Sequence, residues 1–471
     1  MAQSSISWRV TPSRFGSLIL VVFLGVVLAS LAFWGGVAHP GPLFAVGITL
    51  LLVLLAVFSA LVWWLYFSPL PRTGVVVHQR SAHFTQRLVF LISGSILLLL
   101  TGSFWDETWH RIYGTGAAIN DLLWPPHLMI YASMAITSML AISALAVVLR
   151  AQGSIRERFR AEPILGWLGI AATYATASAP CDYIWHRIYG VDISAWSLPH
   201  LFLVTSTGMV LLLTMTLQLG QIPPHPWARL RGISWQEVLS LIFIGLALVL
   251  VATITLSEWD GLKTIGQMGP RNQPLTAFWS RPEWLYGPVL IATALFFQVL
   301  ALHAIKRVGA ATLVTGVVLA ERLIFFLAFG VWQQGLPMTF ATQLLFIPSA
   351  IALDLWYGTR YRQASTNLTI LVGNVLAIGS FLVVGWFAIP HLLIYPRMIP
   401  AVMLPMAVAT LVVGVWAGWF GAVVGDWLGT YQRATTPSAP VSRTLFVAAG
   451  AVLVLFVTIA AVAVTLAPRP A

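Results

Sequence analysis

Charge is what this sequence has least of. Only 8% of its 471 residues are Asp, Glu, Lys or Arg, against about 25% in a soluble globular chain. No polar stretch is long enough to bury a core of its own, which excludes a separate soluble domain. Cysteine is almost as scarce. Cys181 stands alone, which excludes an internal disulfide and any CxxC metal or redox site. Short alternating apolar segments, the mark of a membrane barrel, are absent too. The N-terminus lacks a small-residue cleavage site after a short apolar core, so its first apolar run reads as an uncleaved span. No cytochrome or flavin motif occurs.

What fills the chain is hydrocarbon. Hydrophobic residues make up 59% and mean hydropathy is +0.89. Apolar runs of about 20 residues, the length that crosses a bilayer as a helix, recur throughout. The sequence therefore predicts an all-α, polytopic integral membrane protein, with 1–471 a single transmembrane domain. About thirteen spans are expected near 16–38, 42–67, 87–105, 125–149, 163–181, 198–219, 236–256, 284–304, 309–332, 338–357, 367–389, 399–425 and 444–466.

Alternate loops sort by charge. One side holds 17 of the 25 basic residues, among them Arg72, Arg80, Arg150, Arg156, Arg158, Arg160, Lys306 and Arg307; the other holds seven. The positive-inside rule then puts the N-terminus in the cytoplasm and the C-terminus outside. The net charge of +11 is spread over these loops and forms no stripe, so nucleic acid is not an expected partner; the lipid bilayer is. The outer side collects eight of 14 acidic residues and six of ten histidines.

These outer residues fall in a repeat. "FWDETWHRIYGTGAAINDLLWPPHL" is followed by "PCDYIWHRIYGVDISAWSLPHL". Asp106 matches Asp182, His110 matches His186, and the Pro-His-Leu triplets align His127 with His200. A degraded third copy has Asp260 at the Asp position and Glu283 in place of the second histidine. The repeated hairpins are 87–149, 163–219 and 236–304, and 309–466 holds the C-terminal helices. Copies of one orientation are related by an axis along the membrane normal, which would bring the three hairpin mouths together. Asp and His four apart share a helix face. Gly114 and Gly190 are positioned to stop those helices. Pro126 and Pro199 fit a helix start, so His127 and His200 open the next helices. The helix dipole there disfavours imidazolium and leaves neutral nitrogen for a metal.

Three readings of the cluster are open. Two Asp, His, His sets form a ligand group for Cu, Fe or Zn, with the Asp either ligating or orienting a ligating His. The same residues could form a structural network tying each helix end to the next helix. They could also line a path for protons or ions. Tryptophans crowd the outer mouths, including Trp105, Trp185 and Trp284; most would form an interfacial belt, and some could wall off a dry pocket. Cys181 beside Asp182 could offer a soft thiolate or simply pack. His39 and His391 are read as interfacial. Glu321 and Arg322 fall inside the ninth span, and an Arg322–Asp354 ion pair is expected.

Two resemblances attach to these residues. The pattern WD-x-x-WH followed by PPHL resembles an uncharacterised group of polytopic bacterial membrane proteins. Asp182, His186 and His200 are spaced like the metal site in the C subunit of the copper membrane monooxygenases, which oxidise methane or ammonia; Asp106, His110 and His127 have a longer loop. The second resemblance implies copper and oxygen chemistry. The expected function is a membrane metalloenzyme, a copper- or iron-dependent oxidase or monooxygenase acting at the outer face on a small apolar or lipidic substrate. Asp106, His110, His127, Asp182, His186 and His200 would hold metal, with Glu283 and Asp260 as further ligand or proton acceptor. Electrons would come from another membrane subunit or an external donor. The alternatives are a cation or proton transporter using the same cluster, and a b-type haem protein with two histidine ligands.

The charge sorting makes a direct prediction. Cysteine introduced at Thr115 should react with an impermeant thiol reagent added outside intact cells, and cysteine at Gly153 should not. The opposite labelling would invert the topology.

Overall fold

The computed structural model describes residues 82–113, 125–150, 152–189, 198–260, 283–325, 342–360, 363–392 and 400–430, with 60, 61, 64, 65 and 327. It is helical almost throughout. The helices are α1 (Ala82–Tyr113), α2 (Pro125–Leu149), α3 (Ile155–Ala161), α4 (Pro163–Tyr189), α5 (Leu198–Leu219), α6 (Trp235–Asp260), α7 (Tyr286–Ile305), α8 (Ala310–Phe325), α9 (Phe346–Arg360), α10 (Asn367–Leu392) and α11 (Pro400–Gly429). A small departure from all-α is a parallel pair of two-residue strands, β1 (Ala228–Arg229) and β2 (Arg307–Val308).

Among the described residues, seven helices are long and apolar enough to cross a membrane, falling on α1, α2, α5, α6, α7, α10 and α11. Each coincides with an expected span. Helix α4 is long enough at 27 residues but carries Ala, Gly, Ser and Thr in place of larger apolar residues. Helices α8 and α9 stand where the ninth and tenth spans were expected, with 16 and 15 residues. The spans expected at 16–38 and 444–466, and most of 42–67, lie outside the described residues.

Consecutive helices pack as hairpins: α1 on α2, α4 on α5, α6 on α7. The first two hairpins join through α2 against α4 and α1 against α5, giving a four-helix bundle. The third joins that bundle chiefly through α6 on α5, while α7 packs most extensively on α11. Lipid offers apolar helices no hydrophobic reason to associate, so small residues and hydroxyls must hold them. Both devices are present. Gly421 and Gly425 of α11 let it approach α7 so closely that an added Cβ would meet the backbone oxygens of Phe296 and Leu300 at 2.4 and 2.6 Å. Between α1 and α2, the hydroxyls of Ser95 and Ser133 each donate to the other's backbone carbonyl, at 2.7 and 2.6 Å. Thr137 lies 2.7 Å from the Ser95 hydroxyl.

The Arg322–Asp354 pair is not formed. Asp354 accepts from the Gly309 and Thr312 backbone N–H groups and the Thr312 hydroxyl at 2.6 to 2.7 Å. It thereby satisfies orphan donors at the start of α8. Arg322 lies 3.4 Å from Glu321, donates to the Thr253 hydroxyl and sits over the Phe104 ring. Arg322 stands near the end of α8, whereas Asp354 is engaged at its start; an i-to-i+1 partner and a neighbouring helix's hydroxyl are nearer.

The end of the bundle away from the repeat motifs is tied by charge. Ser234 and Glu237 exchange hydrogen bonds around the first turn of α6, a capping box. The Glu237 carboxylate, 1% exposed, also meets Arg307 at 2.7 and 3.2 Å and His225 at 2.9 Å. The strand pair β1–β2 joins the same two loops. The hydrogen bond to Glu237 raises the His225 pKa against the opposing effect of burial.

A group with a raised folded pKa contributes fully below its unfolded value, about 6.5 for His, and loses that contribution as pH rises through the raised value. Unfolding midpoints in detergent should therefore fall, as pH rises above about 6.5, more steeply in the wild type than in His225→Gln. Glu237→Gln, which strands a buried guanidinium, should cost about 3 kcal/mol. Parallel pH profiles would show that the contact contributes nothing.

Candidate functional site

The repeat motifs come together at the other end of the four-helix bundle. Asp106 is seven residues before the end of α1 and His127 is the third residue of α2. Pro125 and Pro126 occupy the first helical positions, where a missing N–H costs nothing. In the second copy Asp182 lies seven residues before the end of α4, and His200 is the third residue of α5, after Pro199. Helices α1 and α4 run unbroken to Tyr113 and Tyr189, one residue short of Gly114 and Gly190. Asp106 and His110, like Asp182 and His186, are therefore one helical turn apart.

Each carboxylate faces the histidine of the next helix. His127 Nε2 lies 3.0 Å from Asp106 Oδ1, and His200 Nε2 lies 3.6 Å from Asp182 Oδ1. All four side chains are about a quarter to a third exposed. A carboxylate beside Nε2 favours the tautomer with its proton there, which leaves the lone pair on Nδ1. The two copies meet at Tyr131. Its ring centroid is 6.1 Å from that of His127, and it packs on the same small apolar cluster as Ala179 and Leu203 of the second hairpin. Beneath this layer Leu99, Ile130 and Met134 form a small apolar cluster, with Tyr131, Ala179 and Leu203 against it. All four helices of the two hairpins contribute.

The tryptophans divide. Trp105, next to Asp106 in sequence, and Trp185, three residues after Asp182, are buried; Trp284 is exposed. Cys181 is exposed. Pro180, inside α4, has no N–H for the Thr176 carbonyl; the Thr176 hydroxyl meets Ser138 of α2.

The structure thus brings together Asp106 with His127 and Asp182 with His200. The side chains of His110, His186, Asp260 and Glu283, and His39 and His391, lie outside those described. Among the described residues no three His, Cys, Asp or Glu side chains gather as a metal site. Two donors per copy fall short of the three that metal sites usually use. His110 and His186, one turn from each aspartate, are the residues that would complete each set.

Tyr131 escaped sequence reading because it is not repeated: the position four after His200 is Val204. A second polar constellation, at the opposite end, was also missed. His303, fully buried, places Nδ1 3.0 Å from Asp426 and Nε2 3.0 Å from the Tyr357 hydroxyl, and Trp227 stacks on Tyr357. These four residues come from four distant segments and share no local motif. The capping box at Ser234 and Glu237 has a local S-x-x-E signal that the sequence reading did not use.

Close approach of α1 to α2 sets the Asp106–His127 distance. A Cβ on Gly102 would meet the Pro126 carbonyl oxygen at 2.8 Å and the Met129 Cβ at 2.9 Å, while one on Gly94 would meet nothing within 4 Å. Gly102→Ala should therefore destabilise by about 1–3 kcal/mol, and Gly94→Ala should stay within about 0.5 kcal/mol of the wild type. Thermal unfolding of the two variants in detergent checks this; equal midpoints would mean the helices can part without cost.

The chain matches no family model, no curated protein and no solved structure to which it was compared.

Proposed function

We propose that the two hairpin mouths form a metal centre and that the protein is a membrane-embedded, metal-dependent oxidoreductase. Asp106, His110, His127 and their counterparts Asp182, His186 and His200 are its ligand and orienting residues. Copper is the proposed metal, with iron and zinc as alternatives. Thirteen spans, with the N-terminus in the cytoplasm and the metal centre on the outer side, complete the proposal.

The observation that carries this reading is the duplicated geometry. Twice, a carboxylate near a helix end faces Nε2 of a histidine at the next helix start. A structural tie between helices needs only one such pair per hairpin. It does not require the pair to be written twice at the same end of one four-helix bundle.

The residues present divide the work. The aspartates, which face Nε2 of His127 and His200 at 3.0 and 3.6 Å, would orient Nδ1 as the donor and raise its basicity. His110 and His186 supply further imidazole nitrogen. Trp105 and Trp185 limit water at the layer. Glu283 and Asp260, in the proposed third mouth, would accept or return protons. A bound copper or iron would supply one-electron and oxygen chemistry. The substrate is a small apolar or lipidic molecule reaching the site from the bilayer, and electrons come from another membrane subunit or an external donor.

A second reading, a cation or proton path, is favoured by one observation. The hydroxyls of Ser95, Ser133 and Thr137 form a buried polar chain deeper between the same helices. A b-type haem held by two of the histidines is a third, and a Soret band would identify it.

His110→Ala and His186→Ala should each strongly lower the metal content of protein purified without chelator. Asp106→Asn and Asp182→Asn should cost about 10–100-fold in affinity. Glu283→Gln should keep most of the metal and lose turnover. Unchanged metal content in the His110→Ala/His186→Ala double variant would end the metal reading.

A further inference from the structure

The link between α2 and α4 carries a basic patch that the proposed metal centre does not use. Helix α3 is short, opened by a capping box in which Ser154 and Glu157 exchange hydrogen bonds. Its carboxylate is thereby committed to the helix start. The three arginines of α3 go to two places. Arg158 turns back to donate to the Gly153 and Leu149 carbonyls at 2.8 and 2.6 Å, closing the end of α2. Arg156 and Arg160, four apart and so on one face, turn the other way. Arg160 donates to the Leu65 carbonyl at 2.8 Å, and Arg156 lies over the Trp64 ring at 5.6 Å.

Arg156 and Arg160 are close enough that the first depresses the pKa of the second, after the larger effect of burial. Like charges at this spacing repel on an isolated helix, yet the fold holds both against one short stretch, Trp64–Leu65. Around them the surface is apolar. Ile155 is 52% exposed and Trp64 47% exposed, next to helices whose outer faces meet hydrocarbon. An indole at this height is an interfacial anchor, and guanidinium groups are the donors best matched to phosphate oxygens.

We propose that Arg156, Arg160 and Trp64 form a binding site for the phosphate of an anionic phospholipid in the leaflet at this end of the bundle. The headgroup phosphate bridges the two guanidinium groups. The acyl chains run along Ile155 and the adjacent helices. Such a lipid would brace the α2–α4 link, which fixes how the first hairpin stands against the second.

The test uses the full-length protein in mixed vesicles of phosphatidylglycerol and phosphatidylcholine, extracted gently, with co-purifying lipid identified by mass spectrometry. The wild type should retain phosphatidylglycerol in excess of its share of the vesicle. Each arginine should contribute roughly fivefold to that preference, so Arg156→Gln/Arg160→Gln should abolish it. Arg156→Lys/Arg160→Lys keeps the charge and loses the forked geometry, so it should retain an intermediate preference and guards against misfolding of the first variant. Arg158→Gln should weaken stability and leave lipid preference intact. Retention in proportion to the vesicle, or equal retention by the Gln variant, would overturn the site. Displacement by millimolar inorganic phosphate would also overturn it, since the ligand would then be a free anion.

Discussion

A charged or strongly polar group inside a bilayer protein must meet a partner, because lipid offers it none. The described structure follows that constraint from end to end. At one end Asp106 and Asp182 face His127 and His200. At the other, Glu237 gathers Arg307, His225 and its own capping donors, and His303 stands between Asp426 and Tyr357. Arg322 is met by Glu321 and Thr253. Breaking one partner of a buried pair leaves the other uncompensated, at several kcal/mol. These pairs therefore set which helices must be neighbours, and the apolar residues fill in around them.

The same constraint separates fastening from chemistry. Glu237 is fully engaged, with hydrogen bonds and ion-pair contacts on both oxygens and almost no exposure, so it suits a structural tie. The Asp–His pairs differ. They are partly exposed, placed at helix ends, duplicated, and close to a shared tyrosine. Nδ1 of each histidine is the nitrogen turned away from its carboxylate. That asymmetry, one ring nitrogen facing a carboxylate and the other presented elsewhere, is how orienting carboxylates serve metal-binding histidines.

Long apolar runs were legible because a helix of about 20 residues is the simplest structure that satisfies its own backbone in lipid. Seven expected spans were recovered as apolar helices. The prolines before His127 and His200 correctly placed both histidines at helix starts. Other features had no one-dimensional trace. Tyr131 joins the two copies but is absent from the repeat. His303, Asp426, Tyr357 and Trp227 are assembled by tertiary packing alone. The Arg322–Asp354 pairing failed for a related reason: two complementary charges in adjacent spans do not reveal which end of each helix they occupy. The third repeat was read as a third mouth around one axis. Its second helix, α7, packs chiefly on α11 through close glycine contacts, a neighbour that the Gly421 and Gly425 spacing could have disclosed; the side chains of Asp260 and Glu283 lie outside those described.

The central claim is that the two Asp/His sets hold a metal between the first two hairpins. Pulsed electron paramagnetic resonance on full-length protein purified without chelator and loaded with copper tests it most directly. The account predicts stoichiometric copper whose spectrum carries nitrogen couplings from at least two histidine imidazoles. Protein that retains no stoichiometric copper, or copper that shows only water and backbone ligands, would contradict it.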